Sequence, residues 1–151
     1  MTLYHMNELI FELPDVLKDK THHIFSLTDD GPSDFNLVIS RNAIGSEETL
    51  QSYGTRLQAE LAKALPRFEP FWSGTLLVAA APCWGLDYRW LNQGQWLHQR
   101  QASLFHDIGP DRRQVVQITA TVRGEFTAHW RAVFDTMLGS MRLRQSDGRS
   151  G

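Results

Sequence analysis

The alternation of apolar and polar positions is most informative in residues 35–41, which read FNLVISR. A period of two is that of a β-strand, in which alternate side chains point to opposite faces. One face carries three large apolar side chains typical of a core: Phe35, Leu37 and Ile39. The other carries two small polar side chains around an aliphatic one: Asn36, Val38 and Ser40. This second face suits a partner that is apolar yet needs hydrogen bonds, such as a membrane-destined helix rich in small residues.

The other periodic segments predict further strands and two helices. We expect strands at residues 4–6, 9–13, 22–28, 68–72, 75–80, 85–91, 95–105 and 114–122. One helix is expected between an N-cap at Ser46 and Pro66, because apolar residues recur there at helical spacing: Leu50, Tyr53, Leu57, Leu61 and Leu65. A second helix is expected at about residues 125–141. Consecutive antiparallel strands interrupted by helices predict an α+β fold rather than a parallel sheet.

The length and the C-terminal composition predict one domain with a short tail. A chain of 151 residues has the size of a single domain and can bury about 70% of the surface that its unfolded form exposes. We expect this domain to span residues 1–143. The polar, glycine-ended residues 144–151 are expected to form a flexible tail.

The predicted strand at residues 95–105 has a second face of mixed polarity. Its alternation collects an aliphatic, two amides and a hydroxyl on one side: Leu97, Gln99, Gln101 and Ser103. A solvated sheet face is one interpretation, since Gln and Ser are common there. The other is that this strand and residues 35–41 form one concave wall, whose amides and hydroxyls hydrogen-bond a guest. The pattern alone does not decide between them.

Composition and charge exclude several classes of partner. The net charge of −2 gives no overall attraction to nucleic acid or to an anionic membrane. No segment approaches the roughly 20 apolar residues of a membrane span, and Asn7 and Glu8 interrupt the N-terminus before any signal-peptide-like run. Cys83 is the only cysteine, so the chain suits a reducing compartment. We therefore expect a soluble cytoplasmic protein that binds no nucleic acid and is not embedded in a membrane.

Motifs for catalysis or metal binding are not evident in the sequence. The chain has no nucleophile elbow, no glycine-rich phosphate loop and no HExxH motif. His22 and His23 are adjacent on a predicted strand and so face opposite ways, and no Cys, Asp or Glu spacing completes a metal site. We predict no catalytic residue, no metal site and no cofactor. A catalytic triad whose residues come together only in the folded chain would not be visible in the sequence, so an enzyme stays an open alternative.

An ordered set of motifs runs through nearly the whole chain. It comprises YHMNE, FELPD and DKT between residues 4 and 21, FNLVISR at 35–41, YGTR at 53–56, LPRF at 65–68, DYRW at 87–90 and HQRQ at 98–101. In this order the motifs resemble the DcrB-related family, and within it the Eag chaperones of bacterial type VI secretion. The resemblance implies a Mog1/PsbP-like α+β fold, in which a curved antiparallel sheet packs with two main helices. It also implies a homodimer whose concave faces hold the N-terminal transmembrane helices of an effector that carries a PAAR spike-tip domain.

The resemblance also implies which residues bind the effector helices. They are His22, Ile24, Asn36, Val38, Ser40, Leu57, Leu61, Leu65, Leu97, Gln99 and Gln101. The chain departs from the family pattern at His22, where an aliphatic residue is favoured, and at Leu57, where a polar amide is expected. The three leucines could instead be simple core. A small-molecule or lipid carrier that uses the same concave face is the alternative function.

Overall fold

The computed structural model describes residues 2–5, 10–13, 22–27, 33–78, 80–110 and 112–143. Within these residues, six strands form a large sheet and two short strands form a small one. The predicted tail at residues 144–151 lies outside the described residues. Neither helix in the described part of the chain is long and apolar enough to cross a membrane.

The elements follow one another as strands, a helix, strands and a helix. The small sheet consists of β1 (Thr2–His5) and β2 (Ile10–Leu13). The large sheet consists of β3 (His23–Ser26), β4 (Phe35–Ile44), β5 (Glu69–Val78), β6 (Ala81–Asn92), β7 (Gln95–Gly109) and β8 (Arg112–Arg123). The helices are α1 (Leu50–Ala64) and α2 (Ala128–Ser140). The order across the large sheet is β3-β4-β8-β7-β6-β5, and each neighbouring pair is antiparallel. The α+β prediction is therefore confirmed.

Strand β5 joins two segments that the sequence pattern separated. The predicted strands at residues 68–72 and 75–80 are one strand that pairs with β6 along its length. A bulge between Pro70 and Trp72 shifts the register without ending the pairing. The gap between the two predicted strands therefore marks an irregularity within one strand rather than a turn between two.

Helix α1 begins three residues later than predicted, because Thr49 rather than Ser46 is its N-cap. Thr49 Oγ1 accepts a hydrogen bond from the backbone N–H of Ser52 at 3.1 Å. Ser52 Oγ accepts in turn from the backbone N–H of Thr49, also at 3.1 Å. This reciprocal capping box satisfies two amide groups that the first turn leaves without partners. Ser46 lies in the preceding loop.

One face of the large sheet is covered by α2 and forms the core. Its buried apolar residues are Phe35, Leu37, Val78, Cys83, Ala102, Leu104, Ile118, Ala120, Val122, Phe126, Phe134 and Leu138. The ring of Phe35 stacks on Trp130 of α2, with centroids 4.5 Å apart. Phe35 and Leu37 are core as predicted, and Ile39 is partly buried against the same cluster.

Candidate functional site

The face of the large sheet opposite α2 carries side chains of mixed polarity. We call it the open face and define it by its half-buried residues on three neighbouring strands: Asn36, Val38, Ser40, Leu97, Gln99, Gln101, Thr119 and Thr121. The register of the sheet aligns them in rows across β4, β8 and β7. Asn36 pairs with Thr121, which pairs with Gln99. The structure therefore brings the two sequence-predicted strands onto one face, with β8 between them.

Helix α1 lies on the same side of the sheet and is anchored there by Tyr53 and Gly54, its two buried residues. The Tyr53 hydroxyl accepts a hydrogen bond from Nε2 of Gln117 and donates to Oγ of Ser103 at 3.4 Å. A Cβ atom on Gly54 would lie 2.1 Å from the indole ring of Trp84. The absence of a side chain at Gly54 is therefore what allows the helix to approach β6 so closely.

The leucine row of α1 is neither core nor fully exposed. Leu57, Leu61 and Leu65 are all half-buried, because Tyr53 and Gly54 make the close contact with the sheet. Leu57 lines a cleft of about 180 Å³ between α1 and the ends of β4 and β8. The other two leucines continue the same row at helical spacing. The row thus forms an apolar side wall beside the open face.

Gln99 is committed to a chain of hydrogen bonds within the sheet. Trp90 Nε1 of β6 donates to its Oε1 at 2.9 Å, and its Nε2 donates to Oγ1 of Thr121 on β8 at 2.8 Å. The chain crosses three strands and fixes the orientation of the amide. Gln99 therefore shapes the open face, but its strongest hydrogen-bonding groups are already used.

Gln101 is held in a similar way by Tyr88. Its Nε2 donates to the Tyr88 hydroxyl oxygen at 2.8 Å. Its Oε1 is buried and has no hydrogen-bond partner among the described residues. Burial raises the pKa of Tyr88 well above its ordinary value, and the hydrogen bond from Gln101 opposes this only in part. On the β6–β7 side of the open face, the Tyr88 hydroxyl is therefore desolvated and the amide nitrogen of Gln101 is bonded to it.

The polar side chains of β4 on the open face form no such hydrogen bonds within the described strands of the sheet. The side chains of Asn36 and Ser40 form no hydrogen bond or ion pair within the described part of the chain, and neither does Thr119 of β8. Val38 lies between Asn36 and Ser40 on the same strand and pairs with Thr119. This part of the open face can offer both hydrogen bonds and apolar contact to a partner.

Strand β3 forms the rim of the open face. Ile24 pairs with Val38 and is 69% exposed. His22 directly precedes the strand, is exposed, and has the same alternation parity as Ile24. All eleven residues implied by the resemblance are therefore described, and they lie on the open face, its rim or the adjoining wall.

A larger, apolar cavity lies on the opposite face, where the sequence predicted none. It has a volume of about 430 Å³ and is lined by side chains of β3, β4 and α2: Phe25, Ser26, Leu27, Phe35, Leu37, Ile39, Trp130, Val133, Met137 and Met141. Its walls come from segments more than 90 residues apart in the chain. No local pattern could have assembled it.

A buried Asp–His pair lies under α2 and holds the core together. His98 Nε2 bonds with Oδ1 of Asp87, while Nδ1 accepts from the backbone N–H of Phe126 at 3.3 Å. The other carboxylate oxygen of Asp87 lies 3.8 Å from Nε of Arg100 and 3.6 Å from a guanidinium nitrogen of Arg131. Both ring nitrogens of His98 are therefore occupied by structural contacts. No group of three His, Cys, Asp or Glu residues in the described ranges is placed to hold a metal ion.

The sequence interpretation missed the contribution of β8 to the open face. Residues 116–122, VQITATV, alternate as regularly as residues 35–41 and place Gln117, Thr119 and Thr121 on one side. This signal was available in the sequence. The commitments of Tyr88 and Trp90 to the two glutamines were not, because they depend on the pairing of β6 with β7.

Comparisons with known proteins identify the family of the chain and relatives that share its fold. Residues 8–140 match the sequence model of the DcrB family. The chain is 29% identical over 144 residues to "Effector EagT6" of Pseudomonas aeruginosa, which covers 91% of this chain and 96% of that protein. A crystal structure of PA94 from Pseudomonas aeruginosa, a protein of unknown function titled a putative regulator, superposes with a TM-score of 0.73 at 24% identity, covering 97% of this chain and 99% of that one. LpqN of Mycobacterium tuberculosis, titled as involved in cell envelope biogenesis, shares the fold at a TM-score of 0.57 and 12% identity, over 80% of this chain and 83% of that one.

Proposed function

Because the chain belongs to the DcrB family, we propose that it is a cytoplasmic chaperone for a type VI secretion effector. It binds the N-terminal transmembrane helices of an effector that carries a PAAR domain, and it shields them until the effector is loaded onto the spike. The observation that carries this proposal is the pair of uncommitted polar side chains, Asn36 and Ser40, on either side of Val38. The name of the curated relative, EagT6, supports the same role.

An apolar helix gains from contact with the open face for two physical reasons. Burial of its apolar surface is favourable by about 25 cal/mol per Å². Membrane helices also associate through small residues and hydrogen bonds across the interface, and Asn36 and Ser40 offer such bonds in place of a second helix. The mode of recognition is a helix lying in a groove.

The residues around the open face take different parts in this binding. Val38 and Leu97 supply apolar contact in the floor, beside the polar groups of β4. The leucine row of α1 supplies the wall, and His22 and Ile24 supply the rim. Gln99 and Gln101 present amides whose orientation is set by their hydrogen bonds within the sheet.

A second copy of the chain completes the binding site. A helix with its side chains is roughly 10–12 Å across, so a single sheet face leaves much of its apolar surface in water. Two open faces of Mog1/PsbP-like protomers, one on each side of the guest, would cover it. Sedimentation should then give twice the monomer mass of 17.3 kDa, and a monomer that binds guest helices at full affinity would contradict the dimer.

The cavity under α2 favours a second candidate function, that of a small-molecule or lipid carrier. Its volume of about 430 Å³ lies within the roughly 300–1,000 Å³ typical of ligand pockets. This cavity lies on the α2 side of the sheet, whereas the sequence predicted a carrier that uses the same concave face as the chaperone. Native mass spectrometry of the chain purified without detergent would show a bound apolar ligand if this function is real.

Charged substitutions on the open face test the chaperone proposal. Ser40→Arg and Leu97→Asp each place a charge against an apolar guest, which should weaken guest binding at least about tenfold while the chain stays folded. Thr136→Arg, on the exposed side of α2, is the matched control. The measurement is capture of the effector's N-terminal region on co-expression. Capture by both open-face variants would place the binding site elsewhere, and equal effector solubility and secretion without this protein would overturn the function.

A further inference from the structure

Arg113 lies at the base of α1, outside the open face, and holds the loop that leads into the helix. Its Nη2 donates to the backbone carbonyl of Gly45 at 3.0 Å and to that of Ser46 at 3.1 Å. The same nitrogen donates to the backbone carbonyl of Glu48. These carbonyls belong to the connection between β4 and the N-cap of α1. One side chain of β8 therefore holds the loop that leads into the N-cap of the helix.

The guanidinium itself is held in place from the sheet side. Its Cζ lies 4.6 Å from the ring centroid of Phe105 on β7, a favourable arrangement for a cation over an aromatic face. The backbone of Arg113 pairs with Ile44 at the end of β4. Arg113 therefore belongs to β8 and contacts β7 and β4, and through its hydrogen bonds it holds the loop in a fixed position relative to these three strands. We call this arrangement the Arg113 anchor.

The contact between α1 and the sheet is incomplete close to this anchor. Tyr53 and Gly54 hold the N-terminal part of the helix against the sheet, whereas Leu57, at its middle, lines the cleft of about 180 Å³ beside the ends of β4 and β8. The side chains that line this cleft leave space between them, so they resist a change in its width less than a packed core would. Because the loop from Gly45 to Thr49 leads directly into the part of α1 that contacts the sheet, its position affects the tilt of the helix about that contact and the width of the cleft beside Leu57.

We propose that Arg113 is a positioning residue for guest binding. It sets the distance between the leucine row of α1 and strand β4. This distance is the width of the groove that a guest helix enters. The identity of the guest rests on the proposed chaperone function, whereas the placement of α1 is a property of this chain alone. The two can be measured separately.

The first measurement is the distance between α1 and α2 by pulsed electron spin resonance. Spin labels are attached through Ala59→Cys and Ala128→Cys, both on exposed helix positions; Cys83 is 0% exposed and does not compete for label. Arg113→Met should broaden the distance distribution, while Arg112→Met, its exposed neighbour, should leave it narrow. Arg113→Lys should restore most of the narrowness, because one nitrogen serves all three carbonyls and a Lys ammonium carries three donors.

The second measurement is affinity for a designed guest. The probe is a helix of about 20 residues rich in Leu, Ala and Ser, fused to a soluble carrier protein. Arg113→Met should weaken its binding about tenfold, since the anchoring bonds to a charged donor are lost. Arg112→Met should bind like the natural chain, and Arg113→Lys should lie between.

The outcomes separate this inference from the proposed function. An unchanged distance distribution in Arg113→Met overturns the positioning role whatever the affinity. A broadened distribution with unchanged affinity overturns the link to guest width. A natural chain that does not bind the probe contradicts the proposed function, and the distance measurement then decides the positioning role by itself. If Arg113→Met does not fold, Arg113→Lys carries the test: its distance distribution should be slightly broader than that of the natural chain, because a Lys ammonium cannot stack on Phe105 as a planar guanidinium does, and a distribution identical to the natural one would overturn the positioning role.

Discussion

Phe35 and Asn36 are neighbours on β4 but lie on faces of the sheet with different roles. Phe35 is 7% exposed and stacks on Trp130 under α2. Asn36 is half-buried on the open face and forms no side-chain hydrogen bond within the described residues. The α2 face is packed by aromatic side chains and the buried Asp87–His98 pair beside an apolar cavity, whereas the open face keeps polar groups that have no partner among the described residues. The comparison shows how the two-residue period of a strand places packed core side chains on one face and the polar groups of the proposed binding surface on the other.

A second difference, within the open face, separates β4 from β7. Gln99 and Asn36 both carry amides, and their strands lie on either side of β8. The amide of Gln99 bonds to Trp90 and Thr121, and that of Asn36 bonds to no described residue. Two residues with the same chemical group on one face therefore differ in whether that group is still available to a partner.

The largest expected effect comes from substitutions at two adjacent residues that lie on opposite faces of the sheet. Phe35→Ala should lower the free energy of unfolding by about 3–5 kcal/mol, because it removes an aromatic ring from the core and leaves a cavity. Asn36→Ala should change it by less than about 0.5 kcal/mol and should weaken guest binding instead. Denaturant unfolding measures the first quantity and effector capture the second. Similar stability losses in both variants would mean that the open face is part of the folding core.

Gly54 and Gly139 offer a matched test of how α1 meets the open-face side of the sheet. In Gly54→Ala the new methyl group would collide with Trp84, and we expect a loss of about 1–3 kcal/mol in unfolding free energy. In α2, a Cβ on Gly139 meets nothing within 4 Å, so Gly139→Ala should stabilise by about 0.5 kcal/mol through helix propensity. Thermal denaturation checks both. A stabilising Gly54→Ala would show that α1 lies farther from β6.

Tyr88 provides a pH-dependent test of desolvation on the β6–β7 side. Burial raises its folded pKa above the ordinary 10.0, so folding favours the neutral phenol. The stabilisation is complete below pH 10.0 and is lost as pH rises toward the folded pKa, with a slope of at most about 1.4 kcal/mol per pH unit. The burial-raised pKa of Cys83 adds a slope of the same sign from its ordinary 9.0 upward.

The two titrations are separated by working in a Cys83→Ala background. Unfolding free energy measured from pH 9 to pH 11 should fall with pH in this background and should stay flatter when Tyr88→Phe is added. Equal slopes in the two proteins would mean that the Tyr88 hydroxyl is accessible to water rather than desolvated.

Much of the fold was predictable from the sequence, because strands and helices obey local periods. Alternation placed Phe35 in the core and Asn36 on the other face, and the ordered motifs indicated the family that residues 8–140 match. The continuity of β5 through its bulge was not predictable, since it depends on pairing with β6. The N-cap of α1 was misplaced for a related reason: Ser46 and Thr49 both suit a cap, and only the Ser52 contact distinguishes them.

The placement of the candidate residues on one face was predictable, but their hydrogen bonds were not, and their role in binding stays a prediction. The residues of β4 and β7 could be grouped by chemistry, and those of β8 had an equally regular pattern. The hydrogen-bond chain from Trp90 through Gln99 to Thr121 crosses three strands, and the Arg113 anchor joins β8 to a loop more than 60 residues away. Such contacts depend on register and loop path, which no short window of sequence contains.

The smallest expected effect tests the difference between bonded and free polar groups on a single strand. Thr121→Val keeps the side-chain shape but removes the acceptor for Gln99 Nε2, and should lower the unfolding free energy by about 1 kcal/mol because a half-buried amide loses its partner. Thr119→Val, two residues away on the same face, removes a hydroxyl with no described partner; its stability should be unchanged within about 0.5 kcal/mol, and only its guest affinity should fall. Equal destabilisation would mean that Thr119 also serves the fold, and the binding surface would then shrink to the β4 groups at Asn36 and Ser40.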